Sequence, residues 1–403
     1  MPTYKLKDLV TEVISGEWGE ELSEGIEGTK IIRTTNFSNT GKLDLNKEVV
    51  FRNIASDKVE KKRLLIGDTI IEKSGGSPDQ PVGRVVYFEE DNLYLCNNFT
   101  SVLRPNGELV VPKYFMYLMF NLHRTRKVKK FQNKTTGIIN LKLDQYLSQT
   151  IVFIPEKEVQ QKVVKVLDKT FDLIIKRQSQ ITALEELTQS LFLGMFGDDK
   201  TNDKNYKKRY LQDIAHVGSS KRVFVDELVN EGIPFFRGTE IGELAEGKAI
   251  APELFITTEH YEKLKESSGV PKVGDLLMPS ICPDGRIWMI EDNSPFYFKD
   301  GRVLWVSFKE MTVNPLYIQF ALKVKLIKDY LKIASGTTFA ELKIFTLKNV
   351  ELVIPPMELQ NDFAEKLLAV NKQKEKIKKS LLEMESLYNT LLQKAFKGEL
   401  FQD

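Results

Sequence analysis

The sequence predicts an α+β fold made twice over: two homologous α/β domains separated by two long antiparallel coiled-coil helices, in a pseudo-two-fold arrangement. Three observations predict it. Residues 156–197 and 356–403 each carry a heptad of apolar positions, whereas residues 1–155 and 198–355 carry short β-rich runs between Gly, Asn and Ser turns. The two globular stretches repeat the same short motifs in the same order. Finally, the helical stretches keep strict register with each other while the globular ones drift.

The heptads come first because they order everything else. In the second helical stretch Val370, Ile377, Met384 and Leu391 lie seven apart, and Leu367, Lys374, Leu381 and Tyr388 run beside them. In the first, Leu184 and Leu191 hold one track and Leu167, Ile174 and Ile181 the other. A seven-residue apolar period keeps one stripe facing a partner helix, so these residues form the predicted seam. Each helix would extend roughly 60 Å at 1.5 Å per residue, and so long a helix with an apolar stripe needs a partner. The natural partner is its twin. Arg177 and Lys374 interrupt the seam, where a cation either reaches out to water or fixes the register.

Gln160 and Gln360, Leu167 and Leu367, and Leu191 and Leu391 are all two hundred positions apart. The globular motifs are not. Arg33 pairs with Arg237, Gly67-Asp68 with Gly274-Asp275, and Gly83-Arg84 with Gly285-Arg286, at three different offsets. Insertions therefore collect in the domains, because loops tolerate changes of length and a coiled-coil register does not. Each copy continues with an amphipathic helix after a proline, VPKYFMYLM or NPLYIQFAL, followed by basic residues. Arg124, Arg126, Lys127, Lys129 and Lys130 follow in one copy, and Lys323, Lys325, Lys328 and Lys332 in the other. Each closes on a threonine-glycine turn and a strand-like exit, IVFIP or ELVIP. The polar stretch from Gly194 to Arg209 marks the boundary between halves.

Composition removes several classes of function. With 42% hydrophobic and 28% charged residues the chain reads as an ordinary globular protein, and no apolar run reaches the roughly 18 residues of a membrane span. The opening MPTYKLKDL lacks the apolar core of a secretory signal, which points to the cytoplasm and to no membrane partner. Cys96 and Cys282 stand alone, without the spacing of a zinc site or a disulfide framework. Neither a glycine-rich phosphate loop nor a nucleophile–histidine constellation is present. Glu341-Leu342-Lys343 has the shape of a nuclease metal motif, but one such triplet arises by chance in a chain this rich in Glu and Lys. No catalytic residue and no metal ligand is assigned.

What remains is recognition. Reading base edges in the major groove takes Arg or Lys for guanine, Asn or Gln for adenine, and Ser or Thr as adaptable partners. Candidates in the first copy are Arg33, Thr35, Asn36, Lys73, Ser74, Arg84, Asn97 and Asn98. In the second they are Lys221, Arg222, Arg237, Thr239, Ser280, Arg286 and Arg302, with Lys299 beside them. The basic helices and Thr-Gly turns suit phosphates, which position a protein without carrying sequence information.

The succession of domain, heptad helix, domain, heptad helix resembles the specificity subunit of a type I restriction–modification system. The likeness rests on GEWGEE, IIRTTNF, GDTII…GRVVYF, CNNFTSVLRPN and TTG…IVFIP…EVQQKV in the first half, and on GTTFAELK…VELVIPPMELQNDF in the second. The resemblance implies two target recognition domains, 1–155 and 198–355, each reading one half of a bipartite site on double-stranded DNA. It implies that the helices at 156–197 and 356–403 are spacers that also dock two modification (methyltransferase) subunits. Restriction (translocase and endonuclease) subunits would complete the complex. S-adenosylmethionine, ATP and Mg would sit on those partners and none on this chain, which would be non-catalytic. Two other readings stay open: a specificity chain from a system that fuses modification and cleavage, and a coiled-coil scaffold that binds no DNA.

Overall fold

The computed structural model describes residues 2–22, 27–77, 80–135, 138–309, 312–334 and 340–401. The chain divides into two compact units: Met1–Ser179 with Lys378–Asp403, and Gln180–Ile377. Each unit therefore contains one globular copy and a stretch of both long helices.

In the first unit a four-stranded antiparallel sheet runs in the order Val10–Ser15, Thr100–Pro105, Thr69–Glu72, Val85–Tyr87. A three-stranded sheet places Thr29–Ile32 between Val50–Arg52, antiparallel, and Tyr94–Cys96, parallel. Thr3–Lys5 pairs with Ile151–Phe153, closing the start of the chain on the strand that precedes the first long helix. A further sheet joins Gln132–Thr135, Ile138–Leu141 and Ser74–Gly76.

The second unit repeats the first three of these sheets strand for strand. Ala215–Gly218, Val303–Phe308, Leu276–Pro279 and Trp288–Met289 form the four-stranded sheet in the same order. Ile233–Phe236 again lies between an antiparallel neighbour, Phe255–Ile256, and a parallel one, Tyr297–Phe298. Lys207–Tyr210 pairs with Glu351–Ile354, as Thr3–Lys5 does with its partner. The α+β duplication read in the sequence is thus present at the level of strand pairing.

Local chemistry explains the matched motifs. Gly67 and Gly274 turn the chain into the central strand with φ of +100° and +89°, a region that only glycine occupies without strain. The next residue holds the turn: Asp68 accepts the Leu65 N–H at 2.8 Å and Asp275 the Lys272 N–H at 3.1 Å. Both carboxylates are buried. Asp68 is balanced by the Arg104 guanidinium through two 3.0 Å bonds, whereas Asp275 has the Trp305 indole N–H at 2.8 Å and burial raises its pKa.

The first long helix spans Lys157–Phe196 and the second Met357–Lys397. Gln160 and Gln360 are buried at their starts. Gln160 accepts the Val111 N–H at 2.7 Å and donates to the Leu109 and Pro155 carbonyls. Gln360 accepts the Asn314 N–H at 2.9 Å and donates to the Pro355 carbonyl. Each glutamine thereby fastens its helix to the segment leading into the proline-initiated helix of its own unit, Pro112–Arg124 or Pro315–Ile333. The first of these is apolar almost all round, with every residue from Tyr114 to Leu122 buried, as a core helix must be.

In the first unit Val163, Leu167, Phe171 and Ile174 of the first long helix join Tyr388, Leu392 and Ala395 of the second in one core, with Phe171 and Tyr388 rings 6.0 Å apart. In the second unit Phe192 and Phe196 pack with Phe363 and Tyr317, and Lys374 pairs with Glu185. As the first helix climbs from 185 to 192 its partner descends from 374 to 363, so the pair is antiparallel there. Leu167, Ile174, Leu367 and Ile377 are buried, while Ile181, Leu184, Leu191, Val370, Leu381, Met384 and Leu391 are half-buried. Toward the end of the first helix the deepest track passes to Thr188, Phe192 and Phe196, spaced four apart. The reason is that these faces meet a globular domain as well as a helix, which widens the buried stripe beyond a strict heptad seam.

Candidate nucleic-acid interface

In the second unit the end of the strand Ile233–Phe236, the turn after Leu276–Pro279 and the loop before Val303–Phe308 surround an open cleft of about 640 Å³. Its lining combines apolar side chains, among them Val223, Leu228, Phe235 and Leu254, with the cations of Arg237, Arg286, Lys299 and Arg302. Six of the positions singled out in the sequence, Arg237, Thr239, Ser280, Arg286, Lys299 and Arg302, line this one cleft.

Each guanidinium here is aimed by a carboxylate. Arg237 leaves the strand end with its own N–H bonded to Glu240 at 3.0 Å, its Nε bonded to the same carboxylate at 2.9 Å, and a terminal nitrogen 3.0 Å from Glu253. The hydrogen bond to Glu240 raises the Arg237 pKa further. Arg286 lies 2.8 Å from Asp284, and Arg302 lies 3.1 Å from Glu341. Ser280 is buried and its hydroxyl donates to the same Glu341 oxygen at 2.7 Å. Glu341 therefore orients an arginine, which accounts for the ExK triplet without a metal. At the rim Arg222 is 3.1 Å from Asp300 and lies over the Phe224 ring. Phe224 and Val225 are 57% and 81% exposed, unusual for such residues and well suited to apolar contact. Lys221 is exposed, with its backbone N–H on the Tyr297 hydroxyl.

A guanidinium has five donors in a planar fork, and one carboxylate occupies one edge of it. Where a single carboxylate is bound, as at Arg302, the remaining donors can meet a second acceptor pair, such as the O6 and N7 of guanine or two phosphate oxygens, whereas Arg237 divides its fork between Glu240 and Glu253 and Arg286 lies near both Asp284 and Glu246. Arginines held in this way present a fixed fork to a planar ligand.

The first unit treats its matching residues differently. Arg84 makes a two-point contact with Glu72, 2.9 Å at each nitrogen, and Glu72 is buried. Arg33 reaches the Glu48 carbonyl at 3.2 Å and its carboxylate at 3.3 Å. Asn36 is buried, accepting the Arg33 N–H and donating to the Asp44 and Glu48 carbonyls. Asn97 is buried and accepts the Thr100 hydroxyl. These two amides hold loops in place beneath the surface. Lys73 bonds the Ser15 hydroxyl at 2.6 Å and Ser74 bonds Asn140, whereas Thr35 and Asn98 are exposed. The Thr-Gly turns of both copies, at residues 136–137 and 335–339, lie outside the described residues.

Of the orienting acids, Glu240, Glu253, Glu48 and Glu72 have no place in the sequence reading, and Glu341 enters it only as part of a chance ExK triplet. Glu240 had a local signal, three positions after Arg237; Glu253 and Glu341 reach their arginines only through the fold. Burial pushes the Cys96 thiol up to about 11 and the Cys282 thiol up to about 12, so both are unreactive. Among the described residues no group of His, Cys, Asp and Glu is arranged to hold a metal ion, and no helix is long and apolar enough to cross a membrane.

The sequence of this duplicated fold matches the family described as the type I restriction modification DNA specificity domain, over residues 3–186 and again over 203–386. The chain belongs to this family and carries its domain twice. It is 23% identical over 402 residues to the putative type I restriction enzyme MjaX specificity subunit of Methanocaldococcus jannaschii, covering 93% of this chain and 89% of that one. It is 28% identical over 231 residues to the putative specificity subunit S.HindORF215P of Haemophilus influenzae, covering 53% and 54%. Among solved structures its fold resembles the type I restriction–modification S subunit from M. genitalium, with a TM-score of 0.57 at 15% identity over 98% of this chain and 96% of that one. A chain from a study of complex assembly and conformational transition of the type I system gives 0.58 at 16%, over 99% and 98%.

Proposed function

We propose that this chain is the non-catalytic specificity subunit of a type I restriction–modification complex, with each domain reading one half of a bipartite site on double-stranded DNA. The observation that carries the reading is the tandem specificity domain, with the same strand order in the three sheets that both copies share. The cleft lined by Arg237, Arg286 and Arg302 is the base-reading surface of the second domain, and Arg33, Thr35 and Asn98 belong to the corresponding surface of the first. The helices set the spacing of the half-sites and dock two modification subunits. Leu187 and Leu387, twins on the two helices, are 50% and 52% exposed and offer an apolar contact in duplicate, one for each such subunit. S-adenosylmethionine, and the ATP and Mg used by restriction subunits, sit on the partners, and the complex works in the cytoplasm.

Co-expression with the cognate modification subunit, followed by sequencing of methylated sites, tests the proposal. One bipartite motif, two short specified parts around an unspecified gap, is the expected outcome. A single continuous motif, or no methylation that depends on this chain, would contradict it. Recovery of a separate modification subunit with the chain distinguishes this system from one in which modification and cleavage share a polypeptide.

A further inference from the structure

The two copies spend the same basic segment in opposite ways. Counted from the helix-opening prolines, Arg126 is fourteen positions after Pro112 and Asp329 fourteen after Pro315. The backbone leaves helical geometry at both: Arg126 has φ +58° just past the end of its helix, and Asp329 has φ −124° inside its own. In the second copy Asp329 and the two acids after the first long helix gather the lysines. Lys325 is 2.6 Å from Asp199, Lys328 is 2.8 Å from Asp198, and Lys332 is 3.2 Å from Asp329. Three of the four lysines of that segment are thus paired with carboxylates, and among the described residues Lys323 alone is not.

In the first copy the turn after the helix buries Val128 and Phe131 and leaves Arg124, Arg126, Lys127, Lys129 and Lys130 exposed. Among the described residues no carboxylate lies within ion-pair distance of any of the five; Arg124 and Lys130 lie over the Phe120 and Phe131 rings. A left-handed conformation at a non-glycine residue costs free energy, and here it places an arginine in the row of cations. The turn also abuts the candidate reader: a Cβ built on Gly83, beside Arg84, would come within 2.7 Å of Val128.

We infer that the turn Arg124–Lys130 of the first domain grips the DNA phosphate backbone next to that domain's half-site, and that the second domain has no equivalent grip. The inference rests on the DNA-reading function proposed above and adds an asymmetry to it. A row of cations without acidic partners on one exposed turn suits the continuous line of charge along a duplex, and binding there releases counterions. The first domain is then the electrostatic anchor of the complex, and the second contributes mainly directional contacts.

The test is the salt dependence of target binding by the full chain assembled with its modification subunits, on a duplex carrying the methylated motif. The triple variant Arg126→Gln/Lys127→Gln/Lys129→Gln should reduce the slope of log K against log [KCl] by about 2 to 3, roughly 0.9 for each phosphate no longer neutralised. Lys129→Gln alone should reduce it by about 1, and the methylated sequence should not change. The control Lys325→Gln/Lys328→Gln in the second domain should leave the slope as it was. Target binding with an unchanged slope in the triple variant overturns the inference alone, as does a slope lowered equally by the control. Retained slope with loss of a modification subunit would mean that the turn binds an acidic protein surface instead. No target binding by the unaltered complex would overturn the functional reading itself.

Discussion

Arg84 and Arg286 each follow a glycine at the same place in their copies, yet Arg84 closes on a buried carboxylate and Arg286 on exposed ones. Replacing Arg84 with alanine strands Glu72 in the core, which should cost the first unit about 3 kcal/mol. The same change at Arg286 removes a surface pair and should cost under about 1 kcal/mol. Urea unfolding of the two variants measures the difference, and the binding defect should follow the opposite order. Repetition of the motifs made the recurring arginines legible in the sequence, but not the acids that hold them. Residue type and spacing reveal a donor; whether it points into the protein or out of it depends on partners such as Glu341, which lies 39 positions from Arg302.

The long helices were the most legible elements, because a seven-residue period is written locally and repeated for 40 residues. The strand order was not, since Val10–Ser15 meets Thr100–Pro105 across about ninety positions and nothing local specifies that pairing. Nor was the lock at the end of the first helix, where the polar connector that marks the boundary between halves supplies Asp198 and Asp199 to Lys328 and Lys325. Lys328, followed by the Lys200 backbone N–H, holds the Asp198 carboxyl down at about 2. A carboxyl with a lowered folded pKa stabilises above its unfolded value of about 3.9, and that contribution fades as pH falls toward about 2. Protection of the amides across residues 198–206, measured relative to the intrinsic exchange rate, should therefore hold from about pH 7 to pH 5 and fall between about pH 4 and pH 2, with Asp198→Asn showing the low protection throughout. Equal protection in that variant at neutral pH would show that the lock does not hold the connector.

Across the whole molecule, duplication supplies two readers and the antiparallel helices run through both units. Each reader carries its own core, its own closing strand pair and its own glutamine fastener, so each is equipped to change independently of the other. The binding of one reader raises the effective concentration of the second only if the separation fits the target. The drift of offsets inside the globular copies, against constancy in the helices, is the sequence record of that division. The most direct measurement exchanges residues 205–350 for those of another family member and maps the methylated sites made with the same modification subunit. The account predicts a motif in which one half changes while the other half and the gap are retained. A motif altered in both halves, or altered in neither, would contradict it.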